Sequence, residues 1–252
     1  MSNPFFRFKK FTIHQDRCAM KVGTDGVLLG AWVDVAHSDF VLDIGTGTGL
    51  IALMIAQRNC EAMIDAIDID MDSCAQASEN VENSIFRDRI QVIRQSFFDF
   101  FPEKKYDLII SNPPFFTNSL PSSDKKRNIT RHNDSLPLKQ LIEHAISILS
   151  ENGRIAFILP AQISGELDFI IATHRLYEIR RTNVITIEGD RPKRFLIEMT
   201  KYNPEKPEAG DNILVLETKD HKRTSQYQSL TNDFYLNLTD YFVDPLLNVF
   251  GK

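Results

Sequence analysis

Apolar residues fall into short runs separated by longer mixed segments, and from residue 40 onward the alternation is regular. The runs Phe40–Ile44, Met63–Ile67, Ile90–Ile93, Leu108–Ser111 and Ile155–Leu159 have the length of buried strands and are too short for helices. Between them, roughly Leu50–Gln57, Asp72–Val81 and Leu138–Leu149 repeat their apolar positions with helical period. Strands and helices alternating at this spacing predict βαβ units, hence a parallel sheet covered on both faces. The tail differs, since Ile179–Ile187, Phe195–Tyr202 and Ile213–Leu216 read as successive strands with no helix of comparable strength between them. The expected fold is therefore α/β: a doubly wound, Rossmann-like, mostly parallel sheet with an antiparallel edge at its C-terminal end. Ahead of it, Phe6, Phe8, Phe11 and Ile13 alternate like a strand or hairpin, and Thr24-Asp25 stands where a helix N-cap would. Residues 1–35 are thus expected to be an extension packed on a domain spanning 36–252.

Composition narrows the class without identifying it. With 42% hydrophobic and 25% charged residues the chain is an ordinary globular one, not a disordered or fibrous one. The apolar run Leu50–Ala56 is far below the roughly 20 residues that span a bilayer, and MSNPFFRFKK lacks the apolar core of a secretory signal. Three scattered cysteines without CxxC spacing predict neither a disulfide framework nor a zinc site and fit a cytoplasmic protein. His14 and His132 have no companions at metal-ligand spacing, so no metal is expected.

The chemistry begins at the first predicted strand, where VLDIGTGTGL places Gly45, Gly47 and Gly49 between strand and helix, with Thr46 among them. Glycine there permits a tight turn and close approach of a ligand to the backbone. A dinucleotide fingerprint is G-x-G-x-x-G with pyrophosphate on the helix N-terminus, whereas this loop is G-x-G-x-G and follows Asp43. A carboxylate aimed into the pocket repels pyrophosphate and attracts an ammonium, which S-adenosylmethionine carries. Asp68 ends the second strand, where a carboxylate can accept both ribose hydroxyls, and Ile69 follows it. Asp70 and Asp72 read better as charges favoured by a helix dipole than as ligands. After the third strand, Ser96 and Phe97 could hold the edge and face of an adenine, though Phe97 could equally be core. Thr24 opens a helix whose free amides suit the cofactor carboxylate, or it is a cap and nothing more.

The fourth strand runs straight into Asn112-Pro113-Pro114-Phe115. Two prolines continue neither a sheet interior nor a helix, so this is a rigid turn at a strand's carboxyl end, where open α/β sheets bind ligands. An exocyclic aromatic amine is a poor nucleophile because its lone pair is delocalised. If the Asn112 amide oxygen and the Pro113 carbonyl accept its two hydrogens, the nitrogen can become tetrahedral. Phe115 offers a stacking face worth roughly 1–3 kcal/mol, and the prolines fix the parts before reaction.

In this order DIGTGTG, Asp68, Ser-Phe and NPPF resemble the class I S-adenosylmethionine-dependent amino-methyltransferases. HQDRCAMKVGTDGVLLGAW over 14–32, LPAQ at 159–162, RPKRFLIEM at 191–199 and FYL at 234–236 are similar to the bacterial valine-tRNA adenine-37 N6-methyltransferases. Many of these carry Tyr where this chain has Phe115. The resemblance covers nearly the whole chain and implies methylation of N6 of adenine 37 in the anticodon loop of valine tRNA, with S-adenosylmethionine as cofactor. The same motif serves release-factor glutamine methyltransferases, which are the alternative. From other classes, an NAD-dependent oxidoreductase is disfavoured by the glycine spacing and Asp43, and a non-catalytic RNA-binding module predicts no methyl incorporation.

The net charge of −5 argues against a protein that coats nucleic acid unspecifically, yet cations cluster. Lys9 and Lys10, then Lys125, Lys126, Arg127 and Arg131, then Arg175, Arg180, Arg181, Arg191 and Arg194 are expected to ring the NPPF mouth and hold tRNA phosphates. The long loop from Phe116 to Pro137 also suggests a substrate-side role.

Overall fold

The computed structural model describes residues 3–18, 20–114, 137–204 and 212–236. The chain begins with a small antiparallel hairpin, β1 (Phe5–Arg7) and β2 (Thr12–His14), followed by helix α1 (Thr24–Trp32). The βαβ series then runs β3 (Phe40–Ile44), α2 (Leu50–Arg58), β4 (Met63–Asp68), α3 (Met71–Glu82), β5 (Ile90–Arg94) and β6 (Tyr106–Ser111). Helix α4 (Leu138–Ile148) leads into β7 (Leu149–Pro160), and α5 (Ser164–Thr173) into β8 (Tyr177–Ile187). Strands β9 (Arg194–Thr200) and β10 (Asn212–Glu217) and helix α6 (Ser225–Thr231) complete the order.

The eight-stranded sheet has the order β10-β8-β9-β7-β6-β3-β4-β5. From β3 the chain steps outward through β4 to β5, then returns to the other side as β6. A crevice must open at the carboxyl ends of β3 and β6, where the direction of winding reverses. As expected, the antiparallel element lies at the C-terminal end. In detail, β9 alone runs against its neighbours β7 and β8, and the outermost strand β10 is parallel to β8.

Alternation along each strand divides the core between two faces. Val41, Ile64, Leu108, Ile110 and Ile158 point to the side covered by α1, α2 and α3, where Leu28, Leu53 and Val81 meet them. Leu42, Ile67, Ile109 and Phe157 point to the other, against Leu141 and Ile142 of α4 and Leu167 and Ile170 of α5. This double burial is why the strands read as almost unbroken apolar runs. The N-terminal residues Phe8, Phe11 and Ile13 join the first cluster, with Phe8 stacked on Phe11 and on Tyr235 at ring separations of 4.8 and 5.9 Å.

Two local readings change. Helix α1 is capped by Gly23 and has no side-chain capping bond, so Thr24 is its exposed first residue and not its cap. Asp25 is occupied instead by an ion pair with Arg194. Helices α5 and α6 also stand where no helix was foreseen.

Candidate active site

The glycine loop leaves β3 with Gly45, Gly47 and Gly49 at φ +68°, +56° and +81°, a region that costs other residues strain. The amides of Gly45 and Thr46 donate to the Ile67 carbonyl at 2.8 and 3.0 Å, which pins the turn to the end of β4. A Cβ built on Gly45 would meet nothing within 4 Å, so this backbone faces open space.

Asp43 lies fully buried beneath the loop. Its Oδ2 accepts the Thr46 hydroxyl at 2.6 Å, whereas its buried Oδ1 has no well-formed hydrogen bond among the described residues. Burial pushes the carboxyl up to about 7, against the help that the Thr46 hydroxyl and Ala52 amide give the charged form. The nearby Asp68 charge pushes the same way as burial. A buried acid with one oxygen short of a well-formed hydrogen bond among the described residues suits a cationic ligand group.

Asp68 ends β4 and closes the loop from the other side. Its Oδ2 accepts the Gly47 amide and its Oδ1 the Asp70 amide, each at 2.9 Å. Burial raises its carboxyl, and these two amides oppose the rise. Asp70 caps α3 by accepting the Ser73 amide at 2.7 Å, the helix-terminal role expected of it. Ile69 stands 56% exposed beside Asp68, an apolar side chain available to a flat ring. Ser96 is half-buried at the end of β5. Phe97 is buried in the α4-side core with the His144 ring edge-on at 4.7 Å, which is the behaviour of a core ring.

The register of β3 with β6 brings the two motifs together. Ser111 pairs with Ile44, and its hydroxyl donates to the Ile44 carbonyl at 2.8 Å. Asn112 and Gly45 therefore leave adjacent parallel strands at the same level. Pro113 is buried and fixes the turn, while Asn112 is half-buried with no side-chain hydrogen bond among the described residues. The donor set thus fits a cofactor with a cationic group and a hydroxylated ring, next to an amide that has no side-chain partner among the described residues.

The expected cations do not all converge. Arg194 starts β9 opposite Pro160, the last residue of β7, and so lies at the carboxyl edge paired with Asp25. Arg191 is exposed in the turn before it. Lys9 and Lys10 instead border a cavity with Gln57, Arg58 and Asp233, and the Lys9 ammonium donates to the Asn232 carbonyl at 2.8 Å. Because α2 starts at the glycine loop and Arg58 ends it, these two lysines lie about a 13 Å helix length from the loop. Arg180 and Arg181, part of the same basic stretch, hold Glu198 and the Asp168/Glu178 pair respectively. Phe115, Lys125, Lys126, Arg127 and Arg131 lie outside the described residues, as do residues 116–136 of the expected loop. Among the described residues no group of three or more His, Cys, Asp or Glu could hold a metal, and no helix is long and apolar enough to cross a membrane.

Sequence reasoning missed the buried polar face of α3. Ser73, Gln76 and Asn80 are 6%, 0% and 1% exposed and hold the N-terminal segment, although polar residues in an amphipathic helix ordinarily mark its wet side. Their spacing on one helical face was the available signal.

Residues 18–167 match the family model of the methyltransferase small domain. More than half of the chain lies within that match, and the chain belongs to this class of methyltransferases. Curated relatives narrow the family. The tRNA1(Val) (adenine(37)-N6)-methyltransferase of Parabacteroides distasonis is 46% identical over 240 residues, covering 94% of this chain and 100% of the relative. Those of Phocaeicola vulgatus and Trichodesmium erythraeum are 47% and 45% identical, over 94% and 92% of this chain and 100% and 97% of their own lengths. The chain is a member of the tRNA1(Val) (adenine(37)-N6)-methyltransferase family. Among solved structures it shares its fold with a predicted O-methyltransferase from Agrobacterium tumefaciens, at TM-score 0.61 and 17% identity, covering 83% of this chain and 96% of that one. A human methyltransferase 10 domain containing protein matches at TM-score 0.53 and 19% identity, over 73% and 86% of the two chains.

Proposed function

We propose that this chain methylates N6 of adenine 37 in a valine tRNA, with S-adenosylmethionine as donor and the base held at Asn112-Pro113-Pro114-Phe115. One observation carries this reading: the Ser111–Ile44 register sets the half-buried Asn112 amide, which has no side-chain hydrogen bond among the described residues, beside a glycine loop that covers a buried carboxyl. When bound, the cofactor supplies an electrophilic methyl group on a sulfonium. The protein's part is to hold and orient. Asp43 answers the cofactor ammonium, Asp68 the ribose hydroxyls, and Ile69 and Ser96 the adenine, while the N-terminal amides of α1 at Thr24 suit the carboxylate. The Asn112 amide oxygen and the Pro113 carbonyl accept the two hydrogens of the target amine, and Phe115 stacks on the base. No dedicated base is needed, because the amine becomes strongly acidic once alkylated.

Position 37 lies in a single-stranded loop, so turning its base outward costs less than in a duplex. Arg191 and Arg194 stand on the substrate side of the carboxyl edge, and Lys125, Lys126, Arg127 and Arg131 follow NPPF in sequence. Lys9 and Lys10 would touch only RNA that extends past α2. On this reading residues 36–252 form the catalytic domain, 1–35 its extension, and the compartment is the cytoplasm. A release-factor glutamine substrate would use the same NPPF chemistry, but the relatives that align over nearly the full chain bear the tRNA name. The test is transfer of radiolabelled methyl into tRNA from cells lacking this protein, followed by nucleoside identification. N6-methyladenosine at position 37 of valine tRNA is the expected product. Label in a release factor and none in tRNA would replace this substrate with the other.

A further inference from the structure

The polar face of α3 reads the main chain of residues 14–18. Asn80 accepts the His14 amide at 2.8 Å and donates to the His14 carbonyl at 2.9 Å, and it also donates to the Thr48 carbonyl of the glycine loop at 2.9 Å. One turn earlier Gln76 accepts the Arg17 amide at 3.1 Å, and Ser73 lies 3.4 Å from the Cys18 sulfur. That sulfur in turn lies 3.9 Å from where a Gly47 Cβ would be. The helix whose N-terminus follows Asp68 therefore clasps the N-terminal segment and the cofactor loop at once.

We infer that Asn80 and Gln76 are positioning residues for the cofactor: they hold residues 14–18 against the glycine loop, so that this segment and the bound cofactor stabilise one another. Coupling of this kind is reciprocal, because whatever tightens the segment tightens the site, and the cofactor must tighten the segment. The inference rests on the cofactor reading above and adds residues that touch no reacting atom.

Gln76→Leu is the decisive variant. It removes the Arg17 bond together with a fully buried amide whose nitrogen has no partner among the described residues. A purely structural role predicts that affinity and Tm change together. The clasp predicts that Kd for S-adenosylhomocysteine, measured by calorimetry, rises at least about threefold while Tm holds or increases, since a buried nitrogen with no partner among the described residues is gone. Asn80→Asp keeps the acceptor for His14 and loses both donations, and the expected rise is about tenfold. In the unmutated protein, S-adenosylhomocysteine should slow amide exchange at His14 and Arg17. A smaller rise in Gln76→Leu, a rise matched by a fall in Tm, or exchange at His14 and Arg17 indifferent to ligand would overturn the clasp. An unmutated protein that fails to bind S-adenosylhomocysteine overturns the cofactor reading itself.

Discussion

The two sides of the β3–β6 crevice treat their polar groups in opposite ways. On the glycine-loop side the protein answers itself: Asp68 holds the Gly47 and Asp70 amides, Asp70 the Ser73 amide, and Asn80 the Thr48 carbonyl. On the β6 side the turn is stiffened by Pro113 and Pro114, yet the Asn112 amide has no partner among the described residues. A pocket for one unchanging cofactor benefits from a shape fixed by its own hydrogen bonds. In the role proposed for it, capturing and polarising an amine, an amide works best with no internal bond to displace, because breaking a good one would cancel much of the new one. Asp43 stands between the two regimes, with one oxygen held by Thr46 and the other without a well-formed hydrogen bond among the described residues.

The largest expected effect comes from the β6 side. Asn112→Ala should lower methyl transfer by at least about a hundredfold, in the range found when one preorganised polar contact to a reacting group is removed. Cofactor affinity, measured by calorimetry, should change less than about tenfold. Normal turnover by this variant would break the contrast at its centre. Asp68→Ala attacks the self-answered side and leaves the Gly47 and Asp70 amides without their acceptor. Cofactor affinity should fall about ten- to a hundredfold, the equivalent of roughly 1–3 kcal/mol. Turnover at saturating cofactor should suffer less than in Asn112→Ala, and a split of kcat from KM in steady-state assays would show the difference.

Asp43 sharpens the comparison through pH. Its carboxyl is pushed up to about 7 from an ordinary 3.8, so the folded chain keeps a proton that the unfolded chain releases. Its contribution to stability is therefore complete below about pH 4 and is lost as pH rises through about 7. Cofactor binding has the opposite sign, because an ammonium prefers the carboxylate. Affinity should improve by up to about tenfold between about pH 6 and pH 8, following the ionised fraction of one group. Asp43→Asn should flatten that trend, and its Tm relative to the unmutated protein should be more favourable at about pH 8 than at about pH 5. A Kd for S-adenosylhomocysteine that is equally pH-dependent in this variant assigns the titration elsewhere.

The same contrast explains what could be read from the chain alone. Buried parallel strands declare themselves by apolar runs, so β3 through β7 and the two motifs at their ends were legible, and with them the crevice. The glycine φ values followed from the spacing of Gly45, Gly47 and Gly49. Helix α5 was hidden because SGELDFIIAT buries only Leu167 and Ile170 and leaves Phe169 72% exposed, which erases the amphipathic pattern. The clasp on α3 was hidden by its chemistry, since Gln76 and Asn80 look solvent-facing until the main chain they bind is in place. Arg180 and Arg181 looked like part of a phosphate-binding set because charge along a chain does not show which acids fold onto it. Glu198 and Asp168 are 18 and 13 residues from them.

The smallest effect comes from the way acids divide the cations of the surface. Cations already engaged by protein acids release few counterions when RNA binds, while exposed cations near the crevice release about one each. Arg191 is exposed at the carboxyl edge, whereas Arg181 is held between Asp168 and Glu178. Arg191→Ala should weaken tRNA binding a few-fold and reduce the slope of log K against log salt by about one. Lys10→Ala, beyond the far end of α2, should leave that slope unchanged if the RNA footprint stays on the carboxyl edge. Filter-binding titrations over a series of salt concentrations measure both. Equal losses of slope in the two variants would mean that the RNA passes α2 and reaches the N-terminal hairpin, and the boundary drawn between the two ends of the sheet would have to move with it.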